Sequence, residues 1–525
     1  MPDSQATAGP TAPDQASDHA QPVPVSSHPH SDPADDQPQR QMGPIAGRAE
    51  PGRASAASDP PAPPTPPDAT APLTPGTSSA ALAHAPLGAR AWVGIVSHGV
   101  VDFFSYIIVP LMPLLVTRLD LSDTHKALVL AVGSVCSGLV QPLVAWVSDA
   151  LNTRLLGTLG LVMAAVATTL VGHAQSLTAL LIVQAVSSLG IGAFHPVAAA
   201  AVGQLAGRRR SVAVSWFFVG GMLGGMTGNV LSPVYADSFG LLALPALMVP
   251  GLITAAALAW AIHGVSHHQH HAGAGRAPRR HDQPQTGQRT GPGAPAAQPD
   301  PAERAARWRV VWVLYAGNVA RFLVNNALVY LFIDWALEHT AARRGLALSQ
   351  LDDAARRSLG LAASGLNGWA QASMQVGMGG PALLLGWWLT HRRERAALLL
   401  IPVVGAAAVA SAPALQGLAA GQGMGWLTVP GMLLVAVGAG LGFGAVMPAT
   451  ISLAQRLLPH RTGLASGLMM GGAWGLGSTG PLLARSLQHT LGNTPAWLIV
   501  AGVLLLSGCL AWLIPPAVLQ RVSGR

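Results

Sequence analysis

Charge is what this sequence has least of. Only 10% of its 525 residues are Asp, Glu, Lys or Arg, while 50% are hydrophobic. A water-soluble globular chain carries about a quarter charged residues, so this one has too little polar surface to face water on all sides. Lysine is nearly missing: Lys126 stands alone, and the net charge of +8 belongs to arginines. Those arginines sit singly or in short clusters between apolar runs, which speaks against a nucleic-acid-binding face. Cysteine is limited to Cys136 and Cys509, both inside apolar runs and far apart, so there is neither a disulfide framework nor a metal-binding spacing. No Gly-x-x-x-x-Gly-Lys-Ser/Thr loop is present, which excludes an ATP-driven pump built within this chain. The apolar runs show no nucleophile or metal constellation in sequence, so neither an enzyme nor a bound cofactor is expected.

Long apolar runs are what the chain has instead. A helix needs about 20 apolar residues to cross the hydrocarbon core of a bilayer. By that length the chain holds twelve spans, six beginning near residues 92, 127, 155, 177, 211 and 241 and six near 308, 360, 396, 426, 462 and 495. Residues 1–89 are rich in Pro, Ala, Ser, Asp and Gln and cannot bury enough apolar surface to offset chain entropy, so a disordered tail is expected. The tail lacks the basic start and apolar run of a signal peptide. Residues 264–307 are polar and rich in Gly, Pro, Arg and His and read as a flexible linker. The expected organisation is a tail (1–89), a six-helix half (90–263), a linker (264–307), a second six-helix half (308–518) and a short C-terminus (519–525).

The two halves carry the same text. Gly190-Ile191-Gly192-Ala193-Phe194-His195-Pro196 returns as Gly442-Phe443-Gly444-Ala445-Val446-Met447-Pro448. Arg210-Ser211, Ser215, Gly220-Gly221 and Gly224 return as Arg461-Thr462, Ser466, Gly471-Gly472 and Gly475. Weaker matches set Trp92 and His98 against Trp312 and Asn318. Two parallel membrane halves in one chain are the mark of a secondary transporter with its site between them. The expected fold is therefore an all-α membrane protein of twelve transmembrane helices in two parallel six-helix halves.

Alternate loops carry the arginines: Arg154, then Arg208 to Arg210, then Arg276, Arg279 and Arg280, then Arg392, Arg393 and Arg395, then Arg456 and Arg461. Positive charge marks the cytoplasmic side, so tail, linker and both termini are expected there. One stretch dissents: residues 338–359 carry Arg343, Arg344, Arg356 and Arg357 yet fall on the opposite side, partly balanced by Glu338, Asp352 and Asp353.

An ionisable group at the centre of a membrane helix costs about 2.5–3.5 kcal/mol on insertion scales, so each one inside the spans carries information. His98 and Asp102 stand four apart and share a helix face, either to pass a proton or to tie two helices together. His195 breaks the repeat, since its counterpart is Met447. It is a candidate proton relay, or else a buried histidine bonded to a backbone carbonyl. Asn318, Arg321 and Asn325 share one face of the seventh span. A guanidinium there needs an acid, for which Asp102 is the internal candidate, or an anionic ligand. Gln141, before Pro142, adds a polar group to the second span. Asp102, His98 and His195 are thus the expected proton-coupling residues, and Arg321, Asn318, Asn325 and Gln141 the expected substrate contacts. Gly220, Gly224 and Gly228, and likewise Gly463, Gly467, Gly471 and Gly475, recur every four residues and let another helix come close, for static packing or for sliding. The run His267-His268-Gln269-His270-His271 could hold a metal but reads as a solvated stretch of the linker.

With these residues in view, the chain resembles a major facilitator superfamily transporter of the fosmidomycin-resistance type. The stretches that carry the likeness are Ser97-His98-Gly99-Val100-Val101-Asp102, Ser137 to Leu143, Gly192-Ala193-Phe194-His195-Pro196 and Gly463 to Leu468. It covers roughly residues 90–518 and leaves out tail and linker. Asp149 and Arg154 look like remnants of that superfamily's Gly-x-x-x-Asp-Arg-x-Gly-Arg-Arg loop, here with Ala145 and Ala150 at the first glycine and first arginine. They are the expected gating residues. The resemblance implies a twelve-helix carrier in the bacterial inner membrane that exports a small molecule, such as an antibiotic, by proton antiport. A monomer is expected, with protons, a small-molecule substrate and the lipid bilayer as its partners. Uptake of a metabolite anion by symport uses the same residues, and a membrane sensor or scaffold is the third alternative.

Overall fold

The computed structural model describes residues 87–151, 155–265, 300–346, 352–390, 392–421, 425–459 and 461–523. Among them every regular element is helical. The tail, the histidine run of the linker and Arg154 lie outside the described residues, as does the side chain of Asp149.

The helices fall into two sets of six. In the first half span 1 is broken into Ala89–Ser105 and Ile108–Leu119. It is followed by Asp123–Leu151, Leu156–Thr169, Leu177–Leu205 and Arg210–Phe239, and then by a 3-10 turn, Leu241–Leu247, that leads into Met248–Ile262. The second half runs Pro301–Arg343, Asp353–Trp388, Glu394–Ala410 with Ala412–Gly421, Thr428–Gly444 with Met447–Leu457, a broken span from Thr462 to Leu491, and Asn493–Cys509. Ten of these helical stretches are long and apolar enough to cross a membrane. The remaining two spans are Asp353–Trp388 and the broken one, where a π-helical turn interrupts the helix at Leu468–Gly472.

Local chemistry sets several boundaries. The seventh helix starts at Pro301, inside the segment whose composition predicts linker to residue 307. Asp300 caps it by accepting from the Ala302 amide, proline occupies the first turn, and Glu303 pairs with Arg307 one turn on at 2.6 Å. Ser176 and Asp352 cap their helices through the Ala179 and Ala355 amides. Arg90 donates to the carbonyls of Ala261 and His263 at the end of span 6, and Arg395 to those of Ala511 and Trp512 at the end of span 12. Each thereby satisfies carbonyls that the helix end leaves open. The dissenting arginine stretch is partly neutralised: Arg356 pairs with Asp120, and Arg344 donates to Ser358.

The glycine ridge of span 5 lies against span 1. A Cβ on Gly220, Gly224 or Gly228 would run into the carbonyls of Ile95, Gly99 and Phe103, so the two backbones touch over two turns. The repeated ridge in span 11 behaves differently. Gly467 faces open space, a Cβ on Gly475 would meet only the Leu139 side chain although the Gly475 backbone lies against Gly138, and Gly471 sits by Gly138 and Pro142 of span 2. Close approach to span 7 falls instead to Gly477 and Gly480, which meet the backbone of Phe322 and Leu323.

The core shows how the halves meet. One apolar cluster includes Leu111, Leu115, Leu161 and Phe217 of the first half together with Leu328, Phe332, Met374 and Trp497 of the second. A separate cluster, with Val310, Leu314, Leu398, Leu453, Leu457, Met469, Ile514 and Leu519, belongs to the second half alone. The halves share a core at the end that carries the 119–123 turn and have separate cores at the other. Polar contacts across the halves follow the shared end. Lys126 pairs with Asp334, Arg356 with Asp120, Ser134 donates to Asn326 (2.8 Å), the Leu114 amide to Ser364 (3.2 Å) and Asn367 to the Val109 carbonyl (2.8 Å).

Candidate functional site

Three ionisable side chains from two spans converge in the first half. His98 and Asp102 follow one another on span 1, and His195 comes from span 4. Asp102 Oδ2 lies 3.4 Å from His98 Nε2, and Asp102 Oδ1 lies 3.1 Å from His195 Nε2. The other nitrogen of each ring is tied to the backbone: His98 Nδ1 to the Phe217 carbonyl at 2.6 Å and His195 Nδ1 to the Ile191 carbonyl at 2.7 Å.

These bonds settle the tautomers. A carbonyl oxygen only accepts, so both Nδ1 atoms carry hydrogen. In the neutral rings both Nε2 atoms are then bare lone pairs aimed at a carboxylate that also only accepts. Three acceptors face one another, and a bound cation is needed to join them. The simplest is a proton on Asp102 or on either histidine.

The surroundings hold this geometry. The His98 ring stacks on Phe217 with centroids 3.8 Å apart and planes 10° apart, and it meets His195 edge-on at 5.0 Å. Gly221 of span 5 sits against the cluster, where a Cβ would collide with the His98 ring and the Asp102 carboxylate. His98 is buried, while the side chains of Asp102 and His195 keep 16% and 28% of their exposure. The open side is therefore the His195 side. His195 is bonded to a backbone carbonyl through Nδ1 and also reaches the acid through Nε2.

Asp102 does not pair with Arg321, which removes the first of the two alternatives for that guanidinium, an internal acid partner from the equivalent position of span 1. Its two oxygens are taken by the imidazoles, which reach it from its own helix and its neighbour. Arg321 is 3% exposed, donates from Nη1 to Asn318 Oδ1 at 2.6 Å and leaves Nε without a partner. No acid pairs with it among the described residues. Asn318 was expected to touch substrate, but its polar atoms are all engaged: Nδ2 donates to Thr450 Oγ1 (3.1 Å) and the Met469 carbonyl (3.2 Å), while Oδ1 accepts from Arg321. It positions the guanidinium. Asn325 is half-buried with no bond shown, and its neighbour Asn326 is the residue at the interface between the halves, bonded to Ser134, Phe322 and Gly477. Successive residues on a helix point about 100° apart, so one step in sequence changes the face. Gln141 lies at the contact of span 2 with Gly471 of span 11.

A second cluster escaped the sequence. Lys126, 1% exposed, bonds to Asp123 three residues before it and to Asp334 of the second half, with its ammonium 4.3 Å from the Tyr330 ring centre. It lines a cavity of about 470 Å³ at the shared end, together with Asp120, Glu338, Arg356 and Arg485. The one available signal was that Lys126 is the sole lysine of the chain.

A family model for the Major Facilitator Superfamily matches residues 94–479. Among solved structures the chain is similar to the crystal structure of a bacterial homolog to the human lysosomal transporter Spinster, in an inward-facing and unoccupied conformation. The identity is 14% over 83% of this chain and 96% of that one, with a TM-score of 0.50. No curated protein matches the chain.

Proposed function

This chain belongs to the major facilitator superfamily, and we propose that it is a proton-coupled carrier that exports a small anionic or polar molecule across the bacterial inner membrane by alternating access. It is an integral membrane protein of a superfamily that carries small molecules. The observation that carries the finer reading is the triad: two imidazoles with fixed tautomers around one carboxylate, short of a cation by construction.

In this reading Asp102 holds the coupling proton, shared with His195 on the open side and steadied by His98. Loss of the proton leaves three acceptors in contact, so the empty site is strained relative to the loaded one, which ties occupancy to the position of spans 1 and 4. Membrane potential contributes about 2.3 kcal/mol per charge per 100 mV, enough to drive uphill transport of the substrate. Arg321 is a permanent charge with no acid partner among the described residues and supplies the attraction for an oxyanion. By the positive-inside pattern the shared end of the halves is extracytoplasmic, which makes the described state closed outward with Lys126–Asp334 as part of the latch.

The test is flux in proteoliposomes. An imposed pH gradient should drive anionic compounds against their concentration, and adding the transported compound should move protons. Substrate movement indifferent to the pH gradient would exclude proton coupling, and gradient-driven accumulation on the cytoplasmic side would favour uptake of a metabolite anion. Membrane insertion with no movement of any anionic or polar compound would favour the sensor alternative.

A further inference from the structure

We propose that the His98–Asp102–His195 triad is also a binding site for one divalent transition-metal ion of the zinc class, which replaces the proton and blocks carriage. The site rests on the geometry of the triad alone; the block rests on the proton coupling proposed above.

The candidate ligand atoms, one from each side chain, all lie within 4.8 Å of one another. Tetrahedral zinc has bonds of about 2.0–2.2 Å, which sets its ligands roughly 3.3–3.6 Å apart. Each histidine already stands near that spacing from one carboxylate oxygen, His98 Nε2 3.4 Å from Oδ2 and His195 Nε2 3.1 Å from Oδ1, and an ion held by a single oxygen keeps one of these two separations. The nitrogens offered are the correct ones. A metal-binding histidine donates its other ring N–H to a carboxylate or a backbone carbonyl, which fixes the tautomer and aims the lone pair. Both rings do this here, through Phe217 and Ile191. The His98 ring is further held by its stack on Phe217.

Two imidazoles and one carboxylate suit zinc, cobalt and nickel and disfavour magnesium and calcium, which take oxygen ligands. Three protein ligands leave a fourth position for water or an anion. It falls on the side where Asp102 and His195 remain part-exposed. An ion bound there joins span 1 to span 4 through bonds that a single proton does not make. It also occupies the acceptors on which the proposed proton depends, so transport stops while it stays.

The experiment uses the full chain without an affinity tag of histidines, carrying H267N, H268N, H270N and H271N so that the linker run does not bind metal. Zinc is titrated calorimetrically and cobalt by its visible absorption, against magnesium as control. One zinc per chain is expected, with a tetrahedral cobalt spectrum, no response to magnesium, and affinity weakened more than about tenfold by H195Q and by D102N. Circular dichroism and gel filtration establish that each variant is folded, and H98Q supplies a third ligand test if either of them is not. Folded protein that binds no zinc, or binds it equally well in H195Q and H98Q, overturns the proposal. Flux should fall more than tenfold in saturating zinc, and wild-type flux with the triad zinc-loaded would overturn the block. Zinc binding in a protein that moves no protons in metal-free buffer would sink the coupling mechanism and leave this site standing. Coupled flux with no zinc binding would do the reverse.

Discussion

Replacing Lys126 by Met removes one partner of a buried ion pair and leaves Asp334 uncompensated between the halves. Loss of one partner of a fully buried pair costs about 3–5 kcal/mol. Asp334 keeps 13% of its side-chain exposure and borders the 470 Å³ cavity, so water softens the cost. About 2–4 kcal/mol is the reasoned range for the closed state. Once the halves part at that end both groups meet water, and the penalty disappears. The variant should therefore shift the population toward the outward-open form by roughly 30- to 700-fold, at 1.4 kcal/mol per factor of ten. The assay labels Thr117→Cys, a residue lining the cavity, with a membrane-impermeant maleimide in a chain whose Cys136 and Cys509 are replaced by serine. Labelling should quicken in K126M and return toward the parent rate in K126M/D334L, because removal of both charges leaves no buried charge unpaired, Asp123 being exposed to water. Equal labelling rates in all three would refute the latch, as would a double variant as fast as the single one.

Gly224→Leu should impair folding or transport severely, since its Cβ alone collides with the Gly99 carbonyl, whereas Gly475→Leu should be milder because a Cβ there meets only the Leu139 side chain, the Gly475 backbone lying against Gly138 on another side; expression with flux measurements ranks the two, and equal damage would contradict the assigned contacts. Arg321→Ala should abolish transport of an anionic substrate and Arg321→Lys keep only a little of it, with up to about 1–3 kcal/mol of stability lost where Asn318 is left without its donor; a lysine variant as active as wild type would reduce Arg321 to a point charge.

The spans were legible because a bilayer asks every crossing segment for a minimum apolar length, and the repeat made even the broken eleventh span visible. The start of the seventh helix was not legible from composition: its first turns, with Glu303, Arg304 and Arg307, are as polar as the linker, and it is the Asp300 cap and Pro301 that begin it. Of the site, His98 and Asp102 were legible from helical spacing and His195 from its break in the repeat. The acid's contact with His195 rather than Arg321 was not, because equivalence between halves points span 1 at span 7, whereas packing inside one half brings span 4 closer. Asn326 lost to Asn325 by a single step of helical phase. Besides Asp123 three residues before it, Lys126 has an ionic partner 208 residues away, beyond any local pattern. Gly221 was visible as a repeated glycine, but the space it leaves for the His98 ring appears only in three dimensions.

Asp102→Asn tests the coupling mechanism most directly. The amide nitrogen can donate to His195 Nε2, as a proton on the acid would, so the protein should fold as a mimic of the loaded state. Substrate-induced proton movement is read in proteoliposomes with a pH-sensitive dye in metal-free buffer, beside exchange of labelled substrate across the same membranes. The variant should show no substrate-induced proton flux while it still exchanges substrate. Wild-type coupled flux from Asp102→Asn would contradict the account, because the proton would then travel by a route that does not pass through Asp102.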